Sequence, residues 1–464
     1  MDGMHSGLSM IAPMHSPTIE ILPLKKGFLR AAADATHVLV RLVAPAQPVT
    51  ENSASAQRAP LDLALVIDRS GSMSGDPLKA ALESSVRIIQ GLRSDDRIAV
   101  ITFDDHVQVV QPLVAVGDAH DLVTRVRLIE SGGSTALFDG WQEGVKQLAP
   151  FVKKERIARV ILLTDGQANH GLVDEAKIFE HVAKAAGASI TTSTVGLGHG
   201  FNETLLTGMA KAGEGAANFG QTADDLSEAF EEQFAILSNS FLRQVKITVQ
   251  GGSDVQARLL GELLEDGVTR TRKLGTLPWN SALTAVVELK IGANAKADSL
   301  LAVNFTAVTK DGTPVAFGPQ ILILPEVDLA TFSTLQTDVN VAAAVGEAVT
   351  GEKLDVIQAL VRGGQVAEAK QKLAELTQQT DLSEWAREKI IYLTGLLEED
   401  QIMAMKEMRY ASRNFSRSIK GSNVAENSER FNEDIESAKA LFLRKKRAAG
   451  RSSAPQPPQQ PPQA

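Results

Sequence analysis

The 464-residue chain contains no cysteine. This excludes disulfides, zinc–thiolate sites, iron–sulfur clusters and thiol chemistry. It agrees with a reducing, cytoplasmic setting. Basic excess is missing too: 47 Lys and Arg stand against 56 Asp and Glu, for a formal net charge of −9. A general nucleic-acid binder is expected to be basic, so nucleic acid is not an expected partner. No run reaches the ~18 uninterrupted apolar residues of a membrane span, so no membrane partner is expected. The opening residues, MDGMHSGLSMIAPMHSP, lack a basic segment followed by an apolar core and do not resemble a secretory signal. What remains is an ordinary globular composition, 44% hydrophobic and 22% charged, over a length suited to several domains.

The hydrophobic pattern divides the chain. Residues 1–17 have no periodicity and are expected to form a flexible leader. Two β-branched, partly alternating runs within 18–46 predict strands. Residues 47–60, small and polar between prolines, predict a linker. From 61 to 240, apolar strand-like runs alternate with segments of helical spacing. That alternation predicts an α/β domain with a doubly wound, mostly parallel sheet. Residues 241–326 return to short strands separated by turn signals such as Asp266-Gly267 and Asp311-Gly312. They predict an antiparallel β-sandwich, which the strands of 18–46 are expected to complete. Residues 327–447 carry helical spacing, and the Pro/Gln-rich end, 448–464, is expected to be disordered.

One stretch stands out. In V-I-D-R-S-G-S-M, an apolar strand ends on Asp68, with Ser70 and Ser72 at alternate positions and Gly71 between them. Ligands bind at strand C-termini in such sheets. Spacing of two followed by a tight turn can converge three oxygens on one point. Hard oxygen donors suit Mg²⁺, Mn²⁺ or Ca²⁺. A helix cap or a turn uses the same residues. A nucleophile elbow does not fit, because the leading glycine of G-x-S-x-G is absent. Two later segments favour the metal: Gly132-Gly133-Ser134-Thr135, a glycine-rich loop before a helix, and Thr164-Asp165-Gly166 at the end of another apolar strand.

These three segments, in this order, resemble the metal-ion-dependent adhesion site of the von Willebrand factor type A family. The resemblance covers residues 61–240. It implies that Ser70, Ser72 and Thr135 ligate a divalent cation through their hydroxyls, and that Asp68 and Asp165 bind it directly or through water. It implies one coordination position left for a partner's Asp or Glu. It also implies a non-enzymatic interaction scaffold, serving in bacterial relatives with ATPases or signalling enzymes. Two alternatives stand beside it: a metal-dependent hydrolase or phosphatase, and a structural module whose metal serves rigidity alone.

Two weaker features complete the sequence. Asp104-Asp105, after the second strand of the α/β segment, is expected to be a solvated turn, with a pair behind the metal ligands or another ion site as the alternative. Lys406, Arg409, Arg413, Arg417 and Lys420 fall three or four residues apart. On one helix they share a face. That face is either a solvated surface or a docking stripe for an acidic or phosphorylated partner.

Overall fold

The computed structural model describes residues 16–30, 35–47, 59–118, 121–153, 155–166, 168–197, 201–220, 239–261, 270–379, 382, 384–416 and 419–421. The leader up to residue 15, most of the linker, the segment 221–238 and the Pro/Gln-rich end lie outside the described residues.

The chain opens with β1 (Thr18–Pro23) and β2 (Thr36–Val43), an antiparallel pair. The α/β domain follows. Its elements are β3 (Leu61–Asp68), α1 (Asp76–Gly91), β4 (Arg97–Phe103), β5 (Val107–Ala115), α2 (Leu122–Arg127), α3 (Leu137–Leu148), β6 (Ile157–Thr164), α4 (Glu175–Gly187), β7 (Ile190–Leu197), α5 (Glu203–Ala212) and β8 (Glu214–Gly220). The six strands form one sheet in the order β5-β4-β3-β6-β7-β8. All neighbours are parallel except β5, which runs against β4. Every residue of β3 and β6 is buried. This is why LDLALVID and IARVILLT read as continuous apolar runs: helices cover both faces of a central parallel strand. On one face, α3, α4 and α5 pack around Val66, Phe103 and Val160. On the other, α1 and α2 cover Leu65, Ile67 and Leu163.

Helix α3 lies unusually close to the sheet. A Cβ at Gly140 would stand 2.5 Å from the Phe103 ring, and one at Gly144 would stand 2.7 Å from Val66. Real Cβ atoms do not approach that closely, so both positions exclude a side chain. The approach fixes the height of the loop that enters α3.

Strands and then helices make up the second half. Strands β9 (Ser240–Gly251), β10 (Val255–Leu259), β11 (Thr271–Pro278), β12 (Ser281–Ile291), β13 (Leu301–Thr309) and β14 (Pro314–Leu322) build two antiparallel sheets. One has the order β11-β9-β13-β14; the other has β1-β2-β12-β10. Val38, Val40 and Leu42 of β2 share one core with Ile247, Val287 and Phe305. Strands before the α/β domain therefore pair with strands after it, Val40 of β2 facing Ala285 of β12.

The helical region comprises α6 (Leu329–Thr334), α7 (Val339–Arg362), α8 (Val366–Thr377), α9 (Glu384–Glu399) and α10 (Gln401–Ser416). The first half of α7 covers the outer face of the β1–β2–β12 sheet through Val341, Ala344 and Ala348. Its second half joins α8, α9 and α10 in a separate apolar core. One short strand interrupts the helical expectation for 327–447: β15 (Ile419–Gly421) pairs with Ser281–Leu283 of β12. Strand β10 pairs with the other end of β12, at Val287–Ile291. The returning chain thus satisfies backbone groups that β10 leaves open.

Candidate metal centre

Sheet order places the site. The chain adds β4 and β5 on one side of β3, then crosses to add β6 on the other. The reversal lies between β3 and β6, where open α/β sheets bind ligands beyond their strand ends. Asp68 is the last residue of β3, and Asp165 follows the last residue of β6.

Asp68 is fully buried. One carboxylate oxygen accepts the Ser70 N–H at 2.8 Å; the other accepts the Thr164 hydroxyl at 2.5 Å. The Thr164 hydroxyl in turn accepts the Gly166 N–H at 2.8 Å, holding the Asp165 loop in place. Burial raises the Asp68 carboxyl from its ordinary 3.8 to about 6. Hydrogen bonds from Ser70 and Thr164 oppose that rise, and the nearby Asp165 charge adds to it.

The two serine hydroxyls stand 3.2 Å apart. Ligands of an octahedral Mg²⁺ at about 2.0–2.1 Å stand about 2.9 Å from one another when adjacent. The pair therefore fits two neighbouring positions on one small cation. Ser70 is buried, whereas Ser72 opens to solvent.

The glycine-rich loop is stitched to this strand end. Gly132 N–H donates to the Arg69 carbonyl at 2.6 Å, and Gly71 N–H donates to the Gly133 carbonyl at 2.9 Å. Thr135 is 1 % exposed, its N–H bound to Asn169 Oδ1 at 2.8 Å. Its carbonyl accepts the N–H groups of Asn169 and His170. Asp165 is 4 % exposed, and its carbonyl accepts the Asn202 N–H at 3.1 Å. The loops bearing Asp68, Ser70, Ser72, Thr135 and Asp165 thus converge on one end of the sheet. The donor set, three hydroxyls and two carboxylates, suits a hard divalent cation.

Sequence reasoning missed several contributors. Thr164, to which the sequence reading assigned no role, donates its hydroxyl to Asp68. Asp104 is not solvated: it is 3 % exposed, with Arg69 at 2.7 Å and the His106 N–H at 2.8 Å. Asp105 and His106 are exposed, as a turn requires. Donor atoms of Asp104, Asp105 and His106 lie within 4.8 Å of one another. Both glycines of the 132–133 pair pass against this turn, and a Cβ at Gly133 would stand 2.7 Å from the Asp105 carboxylate. A Cβ at Gly132 would stand 2.1 Å from the carboxylate of the buried Asp104, so glycine there is a packing requirement that spacing alone did not reveal.

The cationic stripe is not assembled on one exposed helix face. Lys406 is 2 % exposed, over the ring of Phe201. Arg409 is half-buried, 3.7 Å from Asp355 of α7. Arg413 lies on α10, Arg417 lies outside the described residues, and Lys420 sits on β15 rather than on a helix. Periodicity placed these residues on one side of a helix; Phe201 covers Lys406, and Asp355 of α7 lies against Arg409.

A doubly wound α/β domain with a hydroxyl–carboxylate centre at its switch point defines the class. Residues 62–233 match the model of the von Willebrand factor type A domain, and the chain carries such a domain. Domains of this family mediate protein interactions and commonly bind a divalent metal. The chain is 28% identical over 194 residues to the uncharacterised protein sll0103 of Synechocystis sp., covering 42% of this chain and 46% of that one. It is 30% identical over 216 residues to the uncharacterised protein YfbK of Escherichia coli, covering 46% and 36%. The chain thus spans less than half the length of either relative. A von Willebrand factor type A structure from Catenulispora acidiphila superposes with a TM-score of 0.61 at 16% identity, covering 86% of this chain and 91% of that one. At that identity the likeness concerns fold, and its coverage reaches well beyond the α/β domain. No helix among the described residues is long and apolar enough to cross a membrane.

Proposed function

We propose that the chain is a non-enzymatic scaffold that captures a carboxylate of a partner protein through a Mg²⁺-type cation. The observation that carries this reading is the hydroxyl pair of Ser70 and Ser72, 3.2 Å apart beside the buried Asp68. When bound, the cation supplies a Lewis-acidic position for an incoming Asp or Glu. Ser70, Ser72 and Thr135 would hold it with neutral oxygens, and Asp68 and Asp165 with charged ones. Three hydroxyls and two carboxylates make five donors, and an octahedral Mg²⁺ takes six hard oxygen ligands, so one position remains for an incoming carboxylate. The open side of Ser72 and the exposed Gly132–Ser134 loop leave room for one.

The non-enzymatic part rests on the neighbouring groups. Asp104 is engaged by Arg69 and by its own turn, so it does not present itself as a general base. The partner class, an ATPase or a signalling enzyme in a cytoplasmic setting, follows from the family resemblance and is part of the proposal. Chemical cross-linking and affinity capture in Mg²⁺ test it, read by mass spectrometry for wild type and Asp68→Ala. Partners retained in Mg²⁺ and lost in both EDTA and the variant are expected. Identical partner sets in all three would support a structural metal instead. Phosphatase turnover lost in Asp68→Ala would support the hydrolase.

A further inference from the structure

The helical region reaches the α/β domain beside the candidate centre. Lys406 of α10 is buried, its ammonium 4.0 Å from the centre of the Phe201 ring. Arg362, at the end of α7, lies 3.3 Å from the Glu203 carboxylate and 3.5 Å from the Thr204 hydroxyl. Phe201 through Thr204 lead into α5, where the Asn202 side chain caps the helix by accepting the Leu205 N–H at 3.1 Å. The backbone N–H of Asn202 holds the Asp165 carbonyl. One four-residue segment is therefore fixed to the Asp165 loop on one side and clasped by two cations of the helical region on the other. The Lys406 charge interacts with Glu203, Asp400 and Asp165, while burial holds its own pKa below the ordinary lysine value.

We propose that Lys406 is a positioning residue of the cation site, balancing the carboxylate charge around Asp165 and coupling site occupancy to the seating of the helical region. This rests on the reading of the centre as a cation site. In the metal-free protein, the ammonium offsets the negative charge of Asp165 beyond the end of β6 and of Glu203. An arriving divalent cation neutralises the Asp165 carboxylate and repels the ammonium. Because coupling between sites is reciprocal, whatever Lys406 takes from cation affinity the cation takes from the docking of α10. The cation site thus loosens the helical region when filled, through Phe201–Thr204 and without direct contact.

Calorimetric Mg²⁺ titration of the full chain tests this with wild type, Lys406→Met, Lys406→Arg and Asp68→Ala. Lys406→Met should bind Mg²⁺ roughly five-fold more tightly. Lys406→Arg keeps the charge and should stay near wild type. Unchanged or weaker affinity in Lys406→Met overturns the proposal, as does an equal gain in Lys406→Arg. Wild-type affinity in Asp68→Ala would overturn the cation site itself, which separates the two failures. Hydrogen exchange of the unmutated chain covers the case in which a Lys406 variant does not fold. Mg²⁺ should speed exchange at residues 201–206 and 401–409. Unchanged or slower exchange there overturns the coupling.

Discussion

Replacing Asp68 by Asn should stabilise the metal-free protein near neutral pH while abolishing cation binding. Burial raises the Asp68 carboxyl from 3.8 to about 6. The folded state therefore holds its proton more tightly than the unfolded chain does. The sign follows: stability from this group is greatest below about pH 4 and falls as pH rises toward and past 6. The full shift corresponds to about 3 kcal/mol. Asn carries no charge to bury. Its carbonyl oxygen can accept the Ser70 N–H, and its amide can donate to the Thr164 hydroxyl. That hydroxyl already accepts from Gly166, so its own proton loses an acceptor, at about 1 kcal/mol. The net gain near pH 8 is about 2 kcal/mol, or roughly thirty-fold in opening equilibrium. Hydrogen exchange in EDTA, followed at β3 and β6 and corrected for intrinsic rates, reads it directly. At pH 8 the variant should exchange more slowly than wild type; near pH 4 it should exchange slightly faster. A variant less protected than wild type at pH 8, or with an unchanged pH dependence, refutes the assignment of a desolvated carboxylate.

Other expectations follow from neighbouring contacts. Thr164→Val removes the donor to Asp68 and the acceptor of the Gly166 N–H. It should cost about 1–3 kcal/mol in urea unfolding and weaken Mg²⁺ binding; unchanged Mg²⁺ affinity would contradict its place in the site. Gly140→Ala presses a methyl onto Phe103, costing about 1–3 kcal/mol in thermal unfolding. Gly91→Ala has nothing within 4 Å and should be neutral or better. Asp62, at the opposite end of β3, accepts from Arg97 and Arg156 at 2.7 Å each. Asp62→Ala should cost on the order of 3 kcal/mol and leave Mg²⁺ affinity unchanged.

What the residues alone revealed was the part governed by local pattern. Continuous apolar runs marked β3 and β6 because strands buried on both faces need no polar alternation. Asp68 and Asp165 stood out because each ends such a run. Thr164 did not, since a threonine on a β-branched strand is ordinary until its hydroxyl is seen against Asp68. Asp104 read as solvated because its partner, Arg69, lies on another strand end. Lys406 read as part of a surface stripe because periodicity reports which residues share a helix face. It does not report what covers that face, and here Phe201 does so across some two hundred residues of sequence. The three-residue strand β15 is set by an open stretch of β12 far away in sequence, which no local pattern encodes.

Crystals soaked in Mn²⁺ and measured at the manganese edge test the central claim most directly. The account predicts one anomalous peak per chain at the end of β3, about 2.2 Å from the hydroxyls of Ser70 and Ser72. It should be absent in Asp68→Ala. A peak confined to the Asp104–Asp105–His106 turn, or one at the Ser70–Ser72 pair that persists in Asp68→Ala, would contradict it.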